Sequence, residues 1–388
     1  MSVQEVSVEP RWGLPRVTIL LLGLAAAVIA IAGLKSIASL FSIVFLAFMI
    51  AIGVAPLGDW LRRRGAPGWV TAVALVLASF GILIGFGLII GWAAVELAQI
   101  IPTYDEQFNE LTANAQDFLT NLGVTEDQIN KAVDSLDLSA ITGYVLDVFG
   151  AIASVLGNFG FMLIVLFFVI MDLSAFTHRL AVSQRFAPNA GRAMASFVHG
   201  TRSYLVVSTV FGAIVAVIDA LALALLGLPS VVLWGLISFV TNYIPNIGFV
   251  LGVIPPAVIG LLQGGPELMI TVIVVYSGIN FVIQSLIQPR FVGDSVNLAT
   301  TVTLLSMTLW TWIIGPLGAL LAIPLTLLCK AVFIEVDPST RWVGLLIESG
   351  EPPEEDLAAA AAVKASDLPI AEAATEPPGD APGEEPDA

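Results

Sequence analysis

The chain has few of the residues on which soluble enzymes depend. Its 388 residues include one cysteine and two histidines, and charged side chains make up only 12% of the sequence. A single cysteine, Cys329, excludes an intramolecular disulfide and a cysteine-rich metal site. The sequence also lacks a glycine-rich phosphate loop at the start of a helix, a nucleophile elbow and metal-binding histidine spacing. We therefore expect no enzymatic activity, no cofactor and no bound metal.

Basic residues are scarce as well, with 15 Lys and Arg against 31 Asp and Glu. They form no patch with interleaved aromatic residues, so we do not expect nucleic-acid binding. Instead they flank apolar segments: Arg16 precedes the first, residues 62–64 follow the second, and residues 179–202 follow the fourth. Because basic residues resist translocation, this pattern predicts that the N-terminus and these loops are cytoplasmic.

Long apolar stretches dominate what remains. Hydrophobic residues are 57% of the chain, a share typical of membrane proteins rather than soluble domains. We predict an all-α integral membrane protein in a lipid bilayer, with about eight hydrophobic helical segments. They are residues 17–34, 37–58, 68–95, 146–171, 203–226, 230–262, 268–288 and 301–334.

Charge outlines the domain organisation. Residues 98–147 contain nine acidic side chains and one lysine, and residues 351–388 contain eleven acidic side chains and one lysine. The last stretch has too few large apolar residues to offset the entropy of folding. The predicted order is a cytoplasmic N-terminus (1–16), transmembrane helices 1–3 (17–97), an extracytoplasmic acidic segment (98–147), transmembrane helices 4–8 (148–335) with a basic cytoplasmic loop (173–202), a juxtamembrane segment (336–350) and a disordered acidic cytoplasmic tail (351–388).

The extracytoplasmic segment has its own periodicity. Apolar residues recur at steps of three and four from Phe108 to Leu122, opposite an acidic face, which predicts an amphipathic helix. Thr125 followed by Gln128 is a capping-box pattern that predicts a second helix. These helices could cap the membrane domain or a neighbouring subunit, recruit an outside partner, or gather cations at the mouth of a pathway.

Two apolar segments contain helix-breaking residues. Residues 220–266 carry no charged side chain, and Tyr243 to Gly248 and then Pro255-Pro256 interrupt them. We expect the chain to unwind at Pro245 and to restart a short half-helix from Gly248 to Leu262, where the glycine tolerates left-handed geometry. This stretch is too long for one crossing, so it must cross, break and turn back, or cross again.

The last apolar segment repeats this pattern at Gly315 to Gly318 and again at Ile323-Pro324. Pro316 can open the second half-helix. The start of a half-helix presents free amides and a partial positive charge, which suit the carboxylate, phosphate or hydroxyl groups of a solute. Interrupted helices at membrane depth are typical of transporters, although simple kinks that improve packing are the alternative.

Two charged residues within this region need an explanation. Asp219 lies about two helical turns inside the fifth segment, where a carboxylate needs water, a cation, a basic partner or a proton. It could couple transport to protons or cations, or make a structural hydrogen bond. Arg290 lies in the polar stretch between the seventh and eighth segments. It could pair with Asp294, or act as a gate or solute contact, and it is cytoplasmic if residues 230–262 and 301–334 are both re-entrant.

Three motifs resemble the autoinducer-2 exporter family of bacterial transporters, over most of residues 15–335. They are Ile244 to Gly248 with Pro255, Gln288 to Leu298, and Gly315 to Leu325. The chain departs from the family pattern at Val207-Ser208 and Ala299-Thr300, and Asp219 matches no family motif. The resemblance implies an eight-segment plasma-membrane permease, homo-oligomeric, that moves small solutes outward; some members are linked to exchange of sodium or lithium for protons.

These observations predict a permease with a central site. We expect it to export a small hydroxylated or anionic metabolite, coupled to an ion; cation/proton antiport and a membrane scaffold that holds partners are the alternatives. Asp219 would be the coupling carboxylate and Arg290 a gating or orienting cation. The residues predicted to line the path are Asp219, Asn242, Tyr243, Pro245, Asn246, Gly248, Gly252, Pro255, Gln288, Arg290, Asn297, Gly315, Pro316, Gly318 and Pro324.

Overall fold

The structure is a computed structural model that describes residues 16–104, seven positions between 106 and 120, and residues 159–183, 185–245, 247–288, 298–337 and 340–349. Every regular element within these ranges is helical. The predicted disordered tail, most of the predicted outer helices, and three predicted site residues lie outside the described residues. Those three are Asn246, Arg290 and Asn297.

The described part of the chain contains ten α-helices. They are α1 (Arg16–Ser36), α2 (Ala38–Arg63), α3 (Gly68–Ile100), α4 (Phe159–Ser183), α5 (Pro188–Leu225), α6 (Val231–Thr241), α7 (Gly248–Asn280), α8 (Thr300–Ile314), α9 (Pro316–Lys330) and α10 (Arg341–Ile347). A 3₁₀ turn, Ile101–Tyr104, follows α3, and π-helical turns extend α7 through Phe281–Ile287 and α9 through Ala331–Glu335.

Five stretches of these helices are long and apolar enough to cross a membrane: Ala38–Arg63, Gly68–Ala93, Pro188–Leu225, Gly248–Ile287 and Pro316–Glu335. The predicted all-α membrane class is therefore confirmed. The number of eight segments stays a prediction.

Helix α6 and the first half of α7 form a hairpin. The tip comprises residues 242–247, and a Cβ added to Gly248 would lie 1.9 Å from the Thr241 carbonyl oxygen. At the other end, Gln263 Nε2 donates to the Gly227 carbonyl at 3.1 Å. The half-helix thus ends beside the loop that precedes α6. Residues 231–263 are called the first hairpin below.

The chain reverses again at two glycines rather than at two prolines. Gly264 and Gly265 have non-helical dihedral angles inside α7, and the φ of Gly265 is +71°. A Cβ on Gly260 would lie 3.5 Å from the Met269 backbone, so the two halves of α7 are adjacent. Pro255 and Pro256 do not interrupt α7, and its first half, from Gly248 to the break at Gly264, agrees with the half-helix predicted from Gly248 to Leu262.

Helices α8 and α9 form the second hairpin, residues 300–330. Gly315, with φ +76°, makes the turn, and Pro316 opens α9, as the sequence predicted. Trp310 Nε1 donates to Thr326 Oγ1 at 3.2 Å across the two arms. The further break predicted at Ile323-Pro324 is absent, since α9 runs through Pro324.

The open end of the second hairpin is held by the segment around α10. The Ala299 amide donates to the Ile347 carbonyl at 2.8 Å, and Lys330 Nζ lies 2.7 Å from Glu348 Oε1. Both ends of the hairpin therefore lie beside residues 347–348.

The hydrophobic clusters place the two tips together. Ile244 and Ile247, in the first tip, pack against the cluster that contains Ile313 and Ile314 beside the second turn. Another cluster joins both arms of the first hairpin to the second half of α7; it includes Leu233, Trp234, Val253, Ala257, Val272 and Tyr276. The first tip thus lies between α5, α7 and the second hairpin.

Candidate functional site

A buried carboxylate lies beside the first hairpin. Asp219 has 0% of its surface exposed and accepts a hydrogen bond at Oδ2 from Ser238 Oγ at 2.7 Å. Asn280 Nδ2 donates to the same oxygen at 3.4 Å. Asp219 Oδ1 has no hydrogen-bond partner among the described residues. Since no ion pair of the described chain includes Asp219, the negative charge has no basic partner there, which is costly in an apolar interior.

A second buried oxygen lies nearby without a partner. Tyr276 is 1% exposed, its hydroxyl is in hydrogen-bond geometry with no described residue, and it lies close enough to interact with the Asp219 carboxylate and the Ser238 hydroxyl. A Cβ on Gly252 would lie 2.5 Å from Tyr276 Oη and 2.9 Å from Thr241 Oγ1. Glycine at this position therefore leaves room for the hydroxyl groups of Tyr276 and Thr241.

Amide side chains continue the polar cluster toward the tip. Gln284 Nε2 donates to Asn280 Oδ1 at 3.0 Å and to Asn242 Oδ1 at 2.9 Å. Asn242 Nδ2 then donates to the Ser208 carbonyl of α5 at 3.3 Å. The first residue of the tip is thus fixed between α5 and the second half of α7.

Tyr243 adds two contacts between the tip and α5. Its carbonyl oxygen accepts a hydrogen bond from the Tyr204 hydroxyl. Its own hydroxyl lies 2.7 Å from Thr209 Oγ1. Because a helix break leaves backbone groups without intrahelical partners, these side chains stabilise the unwound segment.

The structure brings together one group of the predicted site residues: Asp219, Asn242, Tyr243, Gly248 and Gly252. Gly248 does not have positive φ; it is required because the chain passes close to the Thr241 carbonyl. Pro245 lies in the tip, Pro255 in the returning half-helix and Gln288 just after the π-helical turn.

The predicted residues of the second hairpin lie in apolar surroundings. Pro324 and Gly318 are buried in α9, and a Cβ on Gly318 would lie 2.0 Å from the Trp310 carbonyl oxygen. Gly315 and Pro316 form the turn. Within the described residues, no hydrogen bond joins this turn to the cluster around Asp219.

Sequence analysis missed most partners of the predicted residues. They are Tyr204, Ser208, Thr209, Ser238, Thr241, Tyr276, Asn280 and Gln284. One signal could have found some of them: Tyr276, Asn280, Gln284 and Gln288 recur at four-residue steps, which gives an otherwise apolar helix one polar face.

The chemistry of the cluster is that of hydrogen bonding and single-charge neutralisation. It offers one carboxylate, several hydroxyls and three amide side chains. Among the described residues, no group of three or more His, Cys, Asp or Glu side chains could hold a metal ion. The cluster can therefore take up a proton or small cation, or bind the hydroxyl groups of a solute.

Long apolar helices around an enclosed polar site have the architecture of a membrane permease. Residues 19–337 match the sequence profile of the AI-2E family transporters, and the chain belongs to that family.

Relatives from two bacteria support this assignment. "Putative transport protein YhhT" of Escherichia coli K12 is 28% identical over 340 residues, which are 86% of this chain and 95% of the relative. A "Putative transport protein" of Haemophilus influenzae is 29% identical over 84% of this chain and 95% of the relative. "AI-2 transport protein TqsA" of Escherichia coli K12 is 25% identical over 78% of this chain and 88% of its own length.

Proposed function

We propose that this permease exports a small polar solute, autoinducer-2 or a metabolite of similar size and polarity, across the bacterial plasma membrane in exchange for protons. The observation that carries the proposal is the enclosed Asp219 carboxylate, whose Oδ1 has no hydrogen-bond partner among the described residues. Such a group is costly as an isolated anion and is stabilised by a proton or a cation. The name of the relative TqsA, an AI-2 transport protein, supports the solute.

The proposed topology has two hairpins that enter from opposite faces. Helices α1 to α5 and the second half of α7 would cross the membrane, with α1, α3 and α5 running outward. The first hairpin would then enter from outside and the second from the cytoplasm. Supporting observations are the contact between Gln263 and Gly227 at one open end and the contacts of residues 347–348 at the other. Both termini would be cytoplasmic, which agrees with the basic loops.

In the proposed mechanism, the tip of the first hairpin binds the solute and Asp219 binds the coupling proton. The hydroxyls of Thr241 and Tyr276 and the amide of Asn242 can donate to and accept from a hydroxylated solute. Among the described residues, the hydrogen bonds of this cluster involve no basic side chain, which favours a neutral solute over an anion. Proton release from Asp219 would leave an uncompensated charge, so the loaded and empty states would favour different arrangements of the tip.

The test is solute efflux from proteoliposomes loaded with labelled autoinducer-2, with and without an imposed proton gradient. We expect the gradient to accelerate efflux through the wild-type protein but not through Asp219→Asn. Asp59→Asn is the matched control, because Asp59 is an exposed carboxylate that lies 3.9 Å from Arg202. Wild-type efflux no faster than that of protein-free liposomes would exclude autoinducer-2 as the solute.

A second candidate function is exchange of sodium or lithium for protons. It is favoured by two neighbouring oxygens, Asp219 Oδ1 and Tyr276 Oη, that are in hydrogen-bond geometry with no described residue, since hard cations bind oxygen ligands. Proton flux evoked by added sodium or lithium, and lost in Asp219→Asn, would support this function. An absence of cation-evoked flux in the wild-type protein would remove it and leave organic solutes.

A further inference from the structure

Three amide side chains form a continuous hydrogen-bonded connection between Asp219 and the tip of the first hairpin. Gln284 donates one N–H to Asn280 and the other to Asn242. Asn280 in turn donates to Asp219 Oδ2 and to the Tyr276 carbonyl. The set Asn242, Gln284 and Asn280 is called the amide chain below.

The hydrogen bonds of the amide chain run outward from Gln284, through Asn280 to Asp219 on one side and to Asn242 on the other. Gln284 donates to two acceptors, and Asn280 donates in turn to the Asp219 carboxylate. Hydrogen bonds in series polarise one another in a low-dielectric interior. The contact of Asn280 with Asp219 is the longest of the series, at 3.4 Å, so it depends most on the charge of its acceptor.

Local helix geometry explains how one glutamine reaches both partners. Gln284 lies in the π-helical turn Phe281–Ile287, and such turns re-aim side chains and recur at functional sites. Asn242 lies next to Gly212, whose missing side chain leaves the space that the Asn242 amide occupies. Asn242 is therefore held between Gly212 of α5 and Gln284 of the π-helical turn. The tip can move only if these contacts change.

We propose that Gln284 and Asn280 are positioning residues that transmit the charge state of Asp219 to Asn242 and so to the tip of the first hairpin. The inference rests on the proposed function, in which Asp219 is the coupling carboxylate. When Asp219 loses its charge, its bond with Asn280 weakens, Gln284 loses a fixed partner, and the tip is released. A competing route runs from Asp219 through Ser238 and helix α6 to the same tip.

Hydrogen–deuterium exchange of the full-length protein in detergent distinguishes these routes without any assay of transport. The readout is deuterium uptake by peptides that cover residues 242–247, measured in wild type, Asp219→Asn, Gln284→Leu and the double variant. We expect Asp219→Asn to raise uptake at the tip roughly fivefold, the change that follows from losing about one hydrogen bond. We expect it to cause no further increase in the Gln284→Leu background, because the connection is already broken.

Two controls keep the experiment decisive. Gln263→Leu makes the same chemical change at the open end of the hairpin, where Gln263 donates to Gly227, and should leave the response to Asp219→Asn intact. Gln284→Met replaces Gln284→Leu if the leucine variant does not fold. An equal response in both backgrounds, or no response in either, would overturn the proposal. Failed solute efflux with a Gln284-dependent response would instead reject only the proposed solute or direction.

Discussion

Both hairpins reverse the direction of the chain at a helix break, but different side chains surround the two breaks. In each, a glycine near the start of the returning half-helix lies against a carbonyl of the first half: Gly248 against Thr241, and Gly318 against Trp310. The first tip is held by polar side chains, including Asn242. The second turn is packed in an apolar cluster. A helix break therefore allows the chain to reverse, whereas polar side chains around the break are also needed to form a candidate binding site.

The largest expected effect tests what the hairpins share. Gly248→Ala and Gly318→Ala would each place a Cβ about 2 Å from a backbone oxygen, which requires the arms to separate. We expect each change to lower the free energy of unfolding by about 3 kcal/mol, as for severe overpacking. Thermal unfolding in detergent measures this. Gly278→Ala is the control, since no atom of the described residues would lie within 4 Å of a Cβ there; equal stability of all three variants would contradict the close approach.

A matched pair of hydroxyl deletions tests what the hairpins do not share. Ser238→Ala removes a 2.7 Å hydrogen bond to the Asp219 carboxylate, so we expect solute flux to fall about tenfold, the loss of one charge-assisted bond. Thr326→Ala removes the acceptor of Trp310 Nε1 in the second hairpin. We expect it to lower stability by about 1 kcal/mol and to leave flux unchanged. Equal flux in the two variants would place function outside the first hairpin.

The same contrast explains what the sequence could predict. Composition indicates a helical membrane protein, and Gly315-Pro316 and Gly248 mark the true turns because their geometry is local. Prolines were poorer guides: Pro255, Pro256 and Pro324 lie inside continuous helices, as membrane helices tolerate proline where neighbours satisfy the backbone.

The partners within the site could not be predicted in this way. The contact of Asn280 with Asp219 joins residues 61 positions apart, and that of Gln284 with Asn242 joins residues 42 apart. Such pairs depend on how the two halves of α7 fold back at Gly264 and Gly265. The side-chain period identifies a polar face on one helix, but not the helix that it meets.

The open ends of the two hairpins also differ in their contacts, and the expected effects on stability are smaller. Lys330 is 8% exposed and lies between Glu335 at 3.4 Å and Glu348 at 2.7 Å, whereas the first hairpin has one exposed hydrogen bond from Gln263. We expect Glu348→Gln to lower the free energy of unfolding by about 1 kcal/mol, because Lys330 keeps Glu335 as a partner. Gln263→Leu should cost less. Chemical unfolding measures the loss of stability in both variants. A larger loss in Gln263→Leu than in Glu348→Gln would show that the contacts at the open end of the first hairpin contribute more to stability.

The smallest expected effect concerns the contact between α1 and the exposed surface of the second hairpin. Lys35, near the end of α1, lies 4.0 Å from the centre of the Trp312 ring, and Trp312 is 60% exposed. We expect Lys35→Met to lower stability by about 0.5 kcal/mol, the value of an exposed cation–π contact, and to leave solute flux unchanged. The methionine keeps the apolar stem, so the variant isolates the charge. A large loss of flux would mean that α1 and the second hairpin take part in transport, and the functional contrast between the hairpins would then fail.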